Sequence, residues 1–269
     1  MGDQKMYNIM KSMHYFAKRD IPSLVALVTL LSVPVIAAFY SVAGGETIRD
    51  MTGCRYVTGI SPDLSLFALI ACMLISSRIA GADAGDKTIN YELLSGHGRA
   101  ETYFGRVLAG LWWGGVLVFV LQWLPVVYFT ICNGWGPEAD MGDVALRCGL
   151  LMAVLFRIVA FSVLVTTLAR SAGKGMVFLY LLLETEAMFT SIVEEMTEFE
   201  FRWWTMISAW GILTNYDNAK SAVVDGKEVM RYVTEVPAKM CVMMVVVSCC
   251  FGIFYLLAGY LTFRRKDRD

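Results

Sequence analysis

Long apolar stretches alternate with short polar ones along the whole chain. A helix needs about 20 consecutive apolar residues to cross the roughly 30 Å hydrocarbon core of a membrane. Six stretches reach that length to within a few residues, namely 22–42, 62–80, 104–132, 144–169, 175–193 and 240–263. The pattern predicts an all-α membrane protein whose 269 residues form one transmembrane domain with six spanning helices.

The segment before the first stretch, residues 1–21, has a helical periodicity of its own. Its apolar residues fall on one helical face over three turns: Met6, Ile9, Met10, Met13, Phe16 and Ala17. Basic residues such as Lys5 and Lys11 lie mostly off this face. Such a helix lies in the membrane interface with its apolar side inward. The alternative is a frayed, basic N-terminus that only follows the charge distribution of membrane proteins.

Lysine and arginine residues are concentrated in alternate polar segments, which indicates the side of the membrane that each segment occupies. The basic segments are the N-terminus (Lys5, Lys11, Lys18, Arg19), Gly85–Arg106 (Lys87, Arg99, Arg106) and the C-terminus (Arg264, Arg265, Lys266, Arg268). The loop 133–143 contains no lysine or arginine. Both termini and Gly85–Arg106 are therefore predicted to be cytoplasmic. The net charge of −1 provides no overall field that would attract nucleic acid.

The longest predicted outer segment, residues 194–239, precedes the last span. Four glutamates at its start are mixed with and followed by an aromatic group, Phe199, Phe201, Trp203, Trp204 and Trp210. Aromatic residues at this density are typical of a helix that lies in the membrane interface or re-enters the membrane. Further along, Asp225-Gly226 predicts a turn.

Three charged residues lie near the middle of predicted spans: Arg157 in the fourth, and Glu184 and Glu186 in the fifth. Each costs at least about 2.5 kcal/mol at the membrane centre. A tight turn at Arg170–Lys174 makes the two spans antiparallel neighbours, and the rise per residue places the charges at similar depth. We predict that Arg157 pairs with one of the two glutamates. The alternative is a substrate or proton site that faces a cavity.

Sequence motifs of common enzymes are missing. The chain has two histidines, His14 and His97, and no HExxH or GxSxG motif, so no catalytic residue or metal ligand is assigned. The stretch before Gly175 resembles a phosphate loop, but Leu168 replaces its first glycine and Gly175 its magnesium-binding hydroxyl residue. Any ATP hydrolysis therefore requires a separate subunit. Four cysteines would lie near one face, where a disulfide of undetermined pairing could form: Cys54, Cys132, Cys148 and Cys241.

The polar segment Gly85–Arg106 contains a short predicted helix, residues 87–95, which Asp86 caps and Gly96 ends. Its apolar residues lie on adjacent faces: Ile89 and Leu93 on one, Tyr91 and Leu94 on the next. A helix of this length is not stable alone in water. We expect it to dock into the groove of a partner protein.

The residues from Gly85-Asp86-Lys87-Thr88-Ile89 through Leu93-Leu94-Ser95 to Arg99 resemble the coupling helix of ABC-2 type permeases, the membrane subunits of ATP-binding cassette exporters. Residues 164–175, LVTTLARSAGKG, resemble the family's turn between spans four and five. The layout is also similar over nearly the whole chain, with an interfacial N-terminal helix, six spans, both ends inside and a large outer segment before the last span.

The resemblance implies a permease subunit that exports an antimicrobial peptide or another amphipathic substrate across a bacterial plasma membrane. It assigns contact with the ATPase to Thr88, Ile89, Tyr91, Leu93, Leu94 and Arg99. The implied partners are two ATPase subunits, which bind ATP and Mg, a second permease chain, identical or related, and membrane lipid; the chain itself binds no cofactor. The alternatives are an ion- or proton-coupled carrier that uses Arg157, Glu184 and Glu186, and a scaffold subunit that transports nothing.

Overall fold

The computed structural model describes residues 2–21, 24–25, 27–28, 32, 51–81, 94, 96–197, 201–216, 219–224, 227–232 and 236–265. This part of the chain is predominantly helical. The helices are α1 (Gly2–Arg19), α2 (Ser61–Gly81), α3 (Arg99–Val118), α4 (Leu124–Asn133), α5 (Met141–Ala169), α6 (Ala172–Thr197), α7 (Met206–Thr214) and α8 (Ala238–Arg265).

Four helical stretches are long and apolar enough to cross a membrane: Arg99–Asn133, Met141–Ala169, Ala172–Thr197 and Ala238–Arg265. A fifth candidate consists of Gly53–Ile60 and Leu64–Ala80, which are bent by 75° relative to each other. The helices indicate a membrane-embedded protein, as the sequence predicted. The predicted first span, 22–42, lies mostly outside the described residues, so the total of six spans stays a prediction.

The N-terminal segment forms the predicted amphipathic helix α1. Its apolar residues Ile9, Met13 and Ala17 are buried against α2 and α3. The contact with α3 is close because Gly105 has no side chain: a Cβ there would lie 2.9 Å from Ile9. Just after α1, Asp20 forms a 2.7 Å ion pair with Arg78 in the last turn of α2. The helix is thus fixed to two neighbours.

The third predicted span is continuous but irregular. A π-helical turn, Phe119–Trp123, separates α3 from α4 and ends two residues before Pro125. Proline has no backbone N–H, so it cannot donate to the carbonyl four residues earlier. That carbonyl, on Leu121, instead accepts a 3.0 Å hydrogen bond from the hydroxyl of Tyr56. Tyr56 begins the second π-helix, Tyr56–Ile60, so the two irregular turns are joined to each other.

Helix α5 lies at the centre of the bundle. In its 18-residue apolar stretch, 61% of the residues are buried, against at most 22% in the other three unbroken candidate spans. It ends at Ala169, since the next residue, Arg170, has a left-handed φ of 55°, and α6 begins at Ala172. The turn is therefore shorter than the predicted Arg170–Lys174. Gly175 belongs to α6 and lies against the backbone of Thr166 in α5.

Adding a methyl group at Gly175 is expected to separate α5 from α6 and to lower the free energy of unfolding by about 1–3 kcal/mol. The new Cβ would lie 2.8 Å from the Cα of Thr166, a backbone atom that cannot rotate away. Gly173→Ala is the matched control, since a Cβ there meets nothing within 4 Å. Thermal unfolding of the two purified variants measures the difference. Equal melting temperatures would contradict the close contact.

The predicted outer segment, residues 194–239, contains more structure than the sequence suggested. A 3₁₀ turn, Phe201–Trp203, and α7 are followed by an antiparallel hairpin of β1 (Ala219–Val224) and β2 (Lys227–Tyr232). Val224 pairs with Lys227. The predicted turn Asp225-Gly226 lies outside the described residues. No strand was predicted here, because β1 reads AKSAVV and lacks an alternation of apolar and polar residues.

Candidate functional site

The buried charge predicted in the fourth span has contacts from three elements. Arg157 lies near the middle of α5 and is 5% exposed. Its Nη2 is 3.8 Å from Oε1 of Glu186 in α6, and its Nη1 donates a 2.6 Å hydrogen bond to the carbonyl of Trp204. The guanidinium also lies over the ring of Phe251 in α8, 4.8 Å from its centre. Arg157 therefore joins α5, α6, α8 and the segment before α7.

Glu186 connects this charge centre to α7. Its Oε1 accepts a 3.0 Å hydrogen bond from the backbone N–H of Met206, the first residue of α7. The first N–H groups of a helix have no partner within it, and their partial positive charge attracts a carboxylate. The N-cap residue, Thr205, makes no side-chain capping bond. Glu186 supplies the missing acceptor from another helix.

Of the two pairings that the sequence predicted for Arg157, the structure has the one with Glu186. Side chains two residues apart on a helix point about 200° away from each other, so only one of the two glutamates can face α5. Glu184 is exposed on the outward side of α6, beside the exposed apolar residues Tyr180 and Leu181. It lies apart from the charge centre.

The N-terminal half of α5 holds a second buried arginine, which the sequence analysis did not single out. Arg147 is 2% exposed, and its Nε is 3.2 Å from Asp143. Its Nη1 donates hydrogen bonds to the carbonyls of Ile212, at 3.0 Å, and Asn215, at 3.3 Å. The spacing of an acid and a base four residues apart, Asp143 and Arg147, is the signal that could have found it.

These contacts fix the position of α7 along α5. The residue before α7, Thr205, follows the carbonyl that binds Arg157, and the end of α7 lies at Arg147. The segment 201–216 therefore reaches about the middle of α5 at Trp204. It then runs back along the half of α5 that contains Arg147. Non-helical backbone at membrane depth persists only where protein or a water-filled cavity surrounds it. The two arginines provide donors for these carbonyls.

Polar groups line the space around Arg147. A cavity of about 20 Å³ is bordered by Arg147, Gln122 and Tyr216. Its volume exceeds the roughly 10–15 Å³ that one water molecule needs. The Nε2 of Gln122, a buried residue of the π-helical turn, has no hydrogen-bond partner among the described residues. Tyr216 stacks with the Arg147 guanidinium at 4.5 Å, and burial raises the pKa of its phenol. The part of the bundle interior around Arg147 is thus polar.

The predicted coupling segment is described only at its end. Thr88, Ile89, Tyr91 and Leu93 lie outside the described residues. Leu94 is 83% exposed, and Gly96 has the positive φ, 84°, that a helix stop requires. Its carbonyl accepts a 2.8 Å hydrogen bond from Lys5 of α1.

Arg99, the last residue assigned to the coupling segment, begins α3 and contacts the end of α8. Its Nη1 donates a 2.9 Å hydrogen bond to the carbonyl of Arg264. Together with the bond from Lys5 to Gly96, this contact brings the three basic segments of the sequence to one end of the bundle. The exposed Leu94 lies beside these two anchors.

All seven cysteines, including the four that were considered for a disulfide, are free thiols. Cys54 is buried, and Cys148 and Cys241 are half-buried.

Neither a family model nor a curated protein matches this chain, and no solved structure matches it either. A function for the chain therefore has to be argued from the geometry of its own residues and from the resemblance of its coupling segment.

Proposed function

We propose that the chain is the membrane-spanning permease subunit of an ATP-driven exporter of the ABC-2 type. The observation that carries the proposal is the exposed Leu94, which directly precedes two fixed anchors, Gly96 and Arg99, at the end where the basic segments meet. A coupling element needs an apolar contact for the ATPase and a rigid connection to the spanning helices. Arg99, at the first turn of α3, supplies that connection.

The polar interior supports a role in transport. A helical protein that only anchors something in a membrane has no need of buried arginines or of backbone that enters the bundle, since both are costly in hydrocarbon. Arg157 and Arg147 hold such a segment in place through four carbonyl and carboxylate groups. A path for an amphipathic substrate, such as an antimicrobial peptide, would run beside this segment.

The proposed assembly has two permease chains, identical or related, and two ATPase subunits that bind ATP and Mg. Each permease has six spans with both termini in the cytoplasm of a bacterial cell. The exposed Glu184 favours a second permease chain against α6, because a carboxylate facing lipid costs at least about 2.5 kcal/mol. A neighbouring chain would remove this carboxylate from lipid.

The permease role predicts that the purified chain binds an ATP-binding cassette protein and stimulates its vanadate-sensitive ATP hydrolysis. Leu94→Ala should raise the concentration of ATPase needed for half-maximal stimulation about tenfold, since truncating a central interface anchor costs about 1–2 kcal/mol. Tyr15→Ala, which truncates an exposed aromatic residue on α1, is the control and should leave the value unchanged. If Leu94→Ala and Tyr15→Ala need the same ATPase concentration, Leu94 does not contribute to the interface.

A proton- or ion-coupled carrier is the second candidate, and the position of Glu184 favours it. An ionisable residue within a membrane span is a candidate functional site by default, and Glu184 has no contact with Arg157 that would give it a structural role. Liposomes containing only this chain separate the candidates. Uptake or release driven by a proton gradient without ATP would identify a carrier. No transport in these liposomes, and none after an ATP-binding cassette protein and ATP are added, would identify a scaffold subunit.

A further inference from the structure

A groove runs between α1 and the third and fourth turns of α3, counted from the end of the bundle where the basic segments meet. It is lined by Tyr7, Lys11 and His14 of α1 and by Ala109, Trp112 and Trp113 of α3. The spacings, i, i+4, i+7 on α1 and i, i+3, i+4 on α3, place each set on one helical face. The groove offers about 230 Å³.

Close contacts on either side hold the groove open in one shape. Below it, Ile9 packs where Gly105 leaves room, so that α1 cannot approach α3 further. At its other end the rings of His14 and Trp113 stack with centres 5.1 Å apart. The two helices are therefore fixed on both sides of the space between them, and the groove is a preformed feature of the fold.

Hydrogen-bond donors dominate the polar part of the groove. Lys11 carries a positive charge, and in the described part of the chain no carboxylate lies within ion-pair distance of it. His14 donates an N–H in either charge state. The indole N–H of Trp113 is buried and finds no acceptor among the described residues. Among the described residues, no acidic side chain lines the groove. A ligand that satisfies these groups is anionic and rich in acceptor oxygens.

The remaining surface of the groove is apolar. Trp112 is 60% exposed at its edge, and the lining also includes Met10 and Ala109. Tryptophan beside lysine is the combination found where a protein meets the membrane interface, and amphipathic α1 is expected at that level. The volume is below the roughly 300–1,000 Å³ typical of drug-sized ligands. This volume suits the headgroup of a lipid whose acyl chains extend outside the groove.

We propose that this groove binds the phosphate headgroup of an anionic membrane phospholipid. Lys11 and His14 contact the phosphate oxygens, Trp113 donates to an oxygen of the ester region, and Trp112 borders the acyl chains. Basic pockets beside membrane helices bind phospholipid headgroups by the same chemistry. The site depends only on α1 and α3 and on a membrane around the chain, so it does not rest on the proposed permease function.

Native mass spectrometry of the full chain in detergent tests the site with two lipids, dioleoyl phosphatidylglycerol and dioleoyl phosphatidylcholine. We expect phosphatidylglycerol to bind at least about tenfold more tightly, since both lipids carry the phosphate but the trimethylammonium group of phosphatidylcholine adds a positive charge that Lys11 repels. Lys11→Gln should abolish that preference, and Lys11→Arg should keep it. Lys18→Gln is the matched control, because it removes the same charge from an exposed position on α1 outside the groove.

Three results would overturn the proposal. An equal loss in Lys11→Gln and Lys18→Gln would show that only the overall charge of α1 attracts lipid. Displacement of the lipid by an equal concentration of glycerol 3-phosphate would show that the groove takes a soluble phosphate compound. Trp112→Ala separates these sources further: it should weaken lipid binding about tenfold and leave glycerol 3-phosphate unaffected. Circular dichroism and elution volume establish that each variant is folded, so that unchanged lipid preference in folded Lys11→Gln also counts against the site.

Discussion

Replacing Arg157 with methionine is expected to destabilise the protein by about 3–5 kcal/mol, the usual cost of removing one partner from a buried ion pair. Methionine fills a similar volume, so the main loss is charge and hydrogen bonding. Glu186 would keep only backbone N–H groups at the start of α7, and the carbonyl of Trp204 would lose its 2.6 Å donor. The yield of monodisperse protein and the apparent melting temperature in detergent measure the effect.

Two further variants separate charge from packing at this centre. Adding Glu186→Gln to Arg157→Met removes the stranded charge and should restore part of the melting temperature. Glu184→Gln removes a carboxylate from the outward side of the same helix and should leave stability nearly unchanged. If Arg157→Met has normal yield and melting temperature, the contacts of Arg157 do not hold α5, α6 and α7 together.

Arg147→Met is expected to have the second-largest effect, about 2–3 kcal/mol, because the lost hydrogen bonds involve a charged donor. The cost is lower than at Arg157, since Arg147 lies in the second turn of α5 rather than near its middle, so that water can replace part of the interaction. The carbonyls of Ile212 and Asn215 would lose their donor. We therefore expect the end of α7 to detach from α5 and to exchange its amide hydrogens faster.

Hydrogen–deuterium exchange over residues 206–216 is the direct measurement for Arg147. Arg147→Lys should give an intermediate result, because lysine retains the charge but not the planar group that binds several acceptors at fixed angles. Arg55→Met changes an exposed arginine just before the π-helical turn Tyr56–Ile60 and controls for loss of charge. Exchange over 206–216 that matches the unmodified protein would mean that α7 is held by its apolar contacts alone.

The sequence predicted those features that depend on length and depth. Spanning helices follow from the number of consecutive apolar residues, and the pairing of Arg157 with a glutamate follows from counting residues on either side of a short turn. The choice between Glu184 and Glu186 depends on how α6 is rotated about its axis, which packing such as that of Gly175 on Thr166 determines. The number of residues between the turn and each glutamate gives depth in the membrane but does not give this rotation.

Other features depend on contacts between distant parts of the chain. The π-helical turn before Pro125 is completed by the hydroxyl of Tyr56, which belongs to a distant part of the sequence. The aromatic residues near Trp204 suggested an interfacial or re-entrant helix, but its depth is fixed only by the bonds to Arg157 and Arg147. Arg147 itself was overlooked because it lies near the end of a span, where an arginine has little cost.

The shortness of the turn between α5 and α6 has a consequence for how the protein is made. Glu186 is poorly suited to enter hydrocarbon alone, and Arg157 is equally costly. The two residues belong to consecutive helices separated only by Arg170 and Ser171, so they can meet as soon as the second helix has been synthesised. We expect the pair to leave the insertion machinery as one hairpin with its charges already neutralised, before α7 has been translated.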